Sequence, residues 1–224
     1  MMLNLFSIFD PSTSMNLSMN WISSMFMLLF LPNLFWLIPS RWNMLYFNIL
    51  KYLVKEFTLL MENKNNLMNM LMFMSLFMLI MLNNFMGLFS YIFTSTSHLS
   101  ISMSISLTLW LAMMMFGWIN YTNHMFTHLV PQGTPTMLMS FMVLIETISN
   151  LIRPITLAVR LSANMIAGHL LMTLISSTGN KLTMMILVIM LISQMILIIL
   201  ELSVSIIQAY VFTVLSMLYS IETN

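Results

Sequence analysis

The chain has 224 residues, 60% of them hydrophobic and 6% charged, with a mean hydropathy of +0.95. Soluble domains carry about 25% charged residues, so this chain cannot cover itself with a hydrated surface and takes the bilayer as its solvent. A formal net charge of +1 without a large basic patch excludes nucleic acid as a partner, and the absence of cysteine excludes a disulfide framework or a thiolate metal site.

The first apolar run, residues 17–38, reads as a membrane span, with Trp21 and Trp36 as interfacial aromatics and Pro39 closing it. Residues 41–64 hold Arg41, Lys51, Lys55, Glu56, Glu62 and Lys64, interleaved at helical spacing with Leu45, Ile49, Tyr52, Leu53, Phe57 and Leu60. That pattern predicts an amphipathic surface helix over about 43–64. Four of the seven basic residues lie here, so this side faces the matrix or cytoplasm and the N-terminus faces the other way.

Further spans are predicted at 67–93, carrying Asn83 and Asn84, and at 99–119, with serines at 100, 102, 104 and 106. Small polar residues of this kind let helices approach closely. A polar break with His124, His128, Pro131, Gly133 and Pro135 separates them from two long segments, 137–176 and 182–219. Forty helical residues extend about 60 Å, against a hydrocarbon core of about 30 Å. The expectation is a strongly tilted hairpin, with Pro154 able to kink its first helix. The whole chain reads as one polytopic all-α membrane domain of about five membrane helices plus the surface helix.

Chemistry concentrates on the hairpin. Glu146, Asn150, Arg153, Arg160, Asn164 and Gly168 fall within about 80° of one another at 100° per residue, with His169 roughly opposite Arg160. On the second helix Gln194, Glu201 and Gln208 recur every seven residues, with Ser205 beside them. Polar stripes on lipid-length helices face each other, a water-filled cavity or a partner. Arg160 has no acid three or four residues away. A guanidinium at bilayer depth costs roughly 2.5–3.5 kcal/mol on insertion scales and does not shed its proton, so its partner is expected on another helix or another protein. An obligate cation, two carboxylates and a histidine make a proton pathway, in which the arginine biases a passing acid by up to about 4 kcal/mol at 4 Å. Glu146 can alternatively neutralise Arg153. His124 and His128 have helical metal-ligand spacing, but two ligands in a loop are weak grounds for a metal, and none is expected.

Three stretches resemble a known family: His128-Leu-Val-Pro131-Gln-Gly-Thr-Pro135, Arg160-Leu-Ser-Ala-Asn164-Met-Ile-Ala-Gly168-His169, and Ile207-Gln208-Ala-Tyr-Val-Phe212. The chain is similar over nearly its whole length to subunit a of mitochondrial F-type ATP synthases (ATP synthase subunit 6), of animal type. Its 30 methionines and lack of cysteine also resemble products of AT-rich animal mitochondrial genomes. Ser162, Ser203 and Ser205 are conservative departures from the family pattern.

The resemblance implies a stator beside a ring of c subunits, without cofactor or nucleotide chemistry, in the mitochondrial inner membrane. It implies contact with other Fo and peripheral-stalk subunits. Arg160 would be the essential arginine facing a c-ring carboxylate. His169 and Glu201 would line the half-channel from the intermembrane space, and Glu146 the matrix exit. Asn164 and Gln208 would support Arg160. Segment 41–64 and the C-terminus would face the matrix. A turn near residue 180 would put Glu201 level with Arg160, whereas the family pairs Arg160 with Gln208 and His169 with Glu201. A proton-coupled secondary transporter and a non-transporting scaffold are the alternatives, although no internal repeat supports the first.

Overall fold

The computed structural model describes residues 5–13, 17–32, 35–61, 67–89, 91–130, 135, 137–179 and 183–223. Glu62, Lys64, Pro131, Gly133, Asn180 and Lys181 lie outside them. Among the described residues the chain is all-α. Four helices are long and apolar enough to cross a bilayer, and a shorter apolar one precedes them.

The N-terminal part differs from the sequence expectation. Leu5–Phe9 makes one short 3-10 segment and Met19–Phe30 a 12-residue 3-10 helix, so 17–38 is not one span-length helix. Pro32 is the physical reason: it has no N–H to donate, and it forces its predecessor out of helical geometry. Leu31 is extended, at φ −72° and ψ 119°. The segment is tied down by the Ser23 hydroxyl, which donates to the Phe93 carbonyl at 3.0 Å.

Helix α1 (Arg41–Leu60) begins where the Ser40 hydroxyl accepts the Asn43 N–H at 3.4 Å. Arg41, Lys51, Lys55 and Glu56 are exposed, while Phe57 is fully buried. α2 (Leu67–Gly87) stops six residues short of the expected 93, at a glycine that abuts Thr94. α3 (Leu99–Asn120) and the short α4 (Thr122–Leu129) follow. α5 (Met139–Thr178) and α6 (Met184–Glu222) are unbroken over 40 and 39 residues. Pro154 sits buried inside α5 without ending it.

α6 packs mainly on α2, α5 mainly on α3, and α5 touches α6. The central core gathers Phe77, Ile80, Leu109, Leu157, Leu161, Ala209 and Phe212 from these four helices. A second cluster, Phe57, Met61, Met70, Phe73 and Met217, docks α1 on one end of α2 and α6. Lipid is as apolar as these side chains, so close packing rather than escape from water holds the helices together. The hydroxyls inside the helices are satisfied locally: Ser162, Ser205, Thr213, Ser216 and Ser220 each donate to a carbonyl three or four residues back.

Candidate functional site

The buried face of α5 consists of Pro154, Leu157, Ala158, Leu161, Ser162, Met165 and His169. Arg160 and Asn164 lie outside that stripe and are exposed on the helix surface. The Arg160 guanidinium has no ion pair or hydrogen bond with any described residue. A side chain free to reach away from its own protein is what a charge with an external partner requires.

Two polar clusters lie at opposite ends of α5. Toward its C-terminal end, His169 is 7% exposed, 6.3 Å from the Phe9 ring and beside the Gly87 carbonyl. Glu201 packs against Gly168, the residue before His169 in sequence. A Cβ on Gly168 would lie 2.6 Å from Glu201 Oε1, so the missing side chain is the space the carboxylate occupies. This pairing lies about two turns from the register set by the turn, and there is no Arg160–Glu201 ion pair. Among the described residues, the buried atoms without a hydrogen-bond partner include Glu201 Oε1 and His169 Nε2, and elsewhere Asn84 Oδ1, Thr96 Oγ1 and His98 Nε2. Each would cost about 1–3 kcal/mol if left dry, and water is the ordinary partner of such groups.

Toward the other end, Arg153 donates to Glu222 and lies 3.7 Å from Glu146. Its guanidinium also stands 5.0 Å from the Tyr219 ring centre. One cation thus holds two carboxylates from two helices. Beside it a cavity of about 230 Å3 is lined by Trp110, His128, Thr147, Asn150 and Glu222 among others. Pro154 removes the N–H that the Asn150 carbonyl would otherwise accept. The Trp110 indole N–H is buried without an acceptor among the described residues.

On α6, Ser205 is buried and Gln194 and Gln208 are half-buried. Gln208 makes no hydrogen bond to Arg160. The His124 and His128 rings on α4 have centres 6.1 Å apart and planes tilted by 49°, with no third metal-ligating side chain beside them among the described residues.

The family model for "ATP synthase A chain" matches residues 12–220. The chain belongs to this family. It is 57% identical to ATP synthase subunit a of Drosophila yakuba over 224 residues, covering all of both chains. It is 59% identical to that of Locusta migratoria over 223 residues, 99% of each, and 59% identical to that of Aedes aegypti over 226 residues, all of both.

Within this family member, sequence reasoning missed Glu222, Thr96 and His98. Glu222 falls in the last turn of α6 and reads as a solvated end. The signal for it was an acid at the register that meets Arg153. Thr94, Ser95, Thr96 and Ser97 are all buried. A run of four small hydroxyl residues between two apolar helices is what marks such a buried polar loop.

Proposed function

We propose that this chain is the proton-translocating stator subunit of the Fo sector of a mitochondrial ATP synthase. It stands beside a ring of c subunits in the inner membrane. The carrying observation is the position of Arg160: exposed, without an ion pair among the described residues, and between two polar clusters. It stands about 13 Å along α5 from His169 and about 10 Å from Arg153, at 1.5 Å per residue. Glu201 and His169, toward the C-terminal end of α5, line the inlet half-channel. The cluster of Glu146, Arg153 and Glu222 is the outlet. Asn164 and Gln208 support the arginine's surroundings.

Membrane polarity follows from α1. The helix, which carries Arg41, Lys51 and Lys55, docks through Phe57 at the Met217 end of α6, so the positive-inside rule puts the Arg153 cluster on the matrix side. The N-terminal segment and His169 then face the intermembrane space. A proton enters at Glu201 and His169, reaches a ring carboxylate, and leaves near Glu146 after the ring has turned. Arg160 cannot relay it, because guanidinium holds its proton. It stabilises the ionised ring carboxylate by up to about 4 kcal/mol at 4 Å and an effective dielectric near 20. That favours release and bars a direct leak between the two clusters.

The test is Arg160→Ala in the intact complex reconstituted into vesicles. ATP-driven proton pumping is expected to vanish while assembly persists; unimpaired pumping would reject the role. Arg160→Lys keeps the charge but loses the planar fork, and is expected to retain only a small fraction of the pumping rate.

A further inference from the structure

We propose that His128 is the last proton carrier of the outlet, reached from Glu222 through a water-filled chamber between α3, α4, α5 and the end of α6. The inference rests on the outlet reading above and names the group that hands the proton to the matrix. The chamber is the cavity of about 230 Å3 beside the Arg153 cluster. To its wall α3 supplies Trp110, α4 His128, α5 Thr147 and Asn150, and α6 Glu222. α4 is fixed against the end of α6. A Cβ on Gly117 of α3 would lie 3.1 Å from Met125 Sδ of α4 and 3.3 Å from the Thr223 carbonyl oxygen. His128 therefore stands at the Arg153 end of the hairpin, the matrix side in the polarity set by α1.

The chamber wall asks for water. The buried Trp110 indole N–H has no acceptor among the described residues. Pro154 leaves the Asn150 carbonyl without its helical donor. The Thr147 hydroxyl donates to the Leu144 carbonyl at 2.9 Å, so its oxygen can still accept. Residues that line one space thus bring a donor and two acceptors, which ordered water satisfies together. At about 30 Å3 per molecule the volume holds several waters.

Two groups in that wall take up and release protons, Glu222 and His128. The indole only donates. Arg153, which holds Glu222 and Glu146, keeps its proton. Among the described residues the charged or titratable neighbours of His128 are Glu222 of α6, Arg153 and Glu146 of α5 behind it, and His124 one turn back on α4. His124 does not line the chamber. His128 does, and it is also exposed, so its ring meets chamber water on one side and the aqueous phase on the other. A proton leaving the carboxylates passes to chamber water, and the neutral imidazole takes it up. The imidazolium then gives one proton to matrix water and returns to its neutral form. In ATP-driven pumping the same steps run backwards.

The test uses the complete ATP synthase in vesicles with the matrix side outward, making ATP from an imposed proton gradient in weakly buffered medium. His128→Gly is expected to slow synthesis roughly tenfold, less than the hundredfold or more of a fully positioned proton-transfer group, because chamber water keeps a slower route open. Imidazole added outside should restore most of the rate, and a non-titrating salt at equal ionic strength should not. His124→Gly should stay within twofold of the unaltered complex. A full rate in His128→Gly overturns the proposal, and so does a loss that imidazole and salt leave equally unchanged, since the ring is then structural. Where the variant does not assemble, hydroxyl-radical labelling of the unaltered complex decides: Trp110 and Met114, which line the chamber, are expected to be labelled, and their protection would show it dry and overturn the proposal. Arg160→Ala separates the two readings. Pumping by that variant brings down the outlet reading and this inference together, whereas its silence beside a fully active His128→Gly brings down this inference alone.

Discussion

Gly168 shows how much can depend on one absent side chain. A methyl group there would press to within 2.6 Å of Glu201 Oε1 and 2.9 Å of its carboxyl carbon. Real Cβ contacts do not come so close, so Gly168→Ala must displace the carboxylate or part the two helices. A displacement of about 1 Å at a reacting group can cost roughly a hundredfold in rate. Gly168→Ala is therefore expected to cut passive proton conduction through the reconstituted Fo sector by a factor approaching that, with assembly intact. A conductance within twofold of wild type would show that Glu201 has room to move without consequence. Gly168 was legible in the sequence as a member of the polar stripe. Its role was not, because spacing cannot tell which residue of the opposing helix fills the gap.

At the scale of the element, the two long helices differ in what their stripes do. The sequence pattern emphasised Gln194, Glu201 and Gln208 on α6. The buried face there consists instead of Ser205, Ala209, Phe212, Thr213, Ser216, Met217 and Ser220, mostly small residues. Volume decides how near two backbones come in lipid, and polarity then decides what lines the remaining space. On α5 the order is reversed: the apolar and small residues pack, and Arg160 and Asn164 are left outside. The far end of the pair is joined by Arg153 to Glu146 and Glu222, whose side chains are 27% to 41% exposed. Such a cluster falls between a surface ion pair, worth about 0–1 kcal/mol, and a buried one, whose breaking costs about 3–5 kcal/mol. Arg153→Ala leaves two acids without their cation and is expected to destabilise the assembled subunit by about 1–3 kcal/mol on that scale. Glu222→Gln, which leaves Arg153 with Glu146, should cost less. Thermal dissociation of the purified complex measures both, and the reverse order would mean that Arg153 is not the hub.

For the whole molecule, α1 is what turns four apolar helices into an oriented body. It docks through Phe57, at 0% exposure, in a cluster shared with α2 and α6. Truncating a buried phenylalanine costs about 3–5 kcal/mol, and lipid refilling the gap favours the lower end. Phe57→Ala should therefore loosen α1. A spin label at Lys55→Cys, made specific by a chain with no native cysteine, should become markedly more mobile. Unchanged mobility would show that α1 is held by other contacts.

Composition alone determined that this is a membrane protein, since 6% charged residues cannot solvate a surface of this size. Periodicity located α1, α3, α5 and α6 to within a few residues, because apolar spacing and helix-stopping residues are local. It overran α2, and it missed the effect of Pro32, which broke the first span from within a run of otherwise apolar residues. The hairpin register, the union of Arg153 with Glu222, and the burial of Thr94, Ser95, Thr96 and Ser97 were decided only by the tertiary structure. Each depends on how two or more helices slide and turn against one another. Sliding a helix by two turns leaves its own pattern unchanged but gives every polar residue a new neighbour.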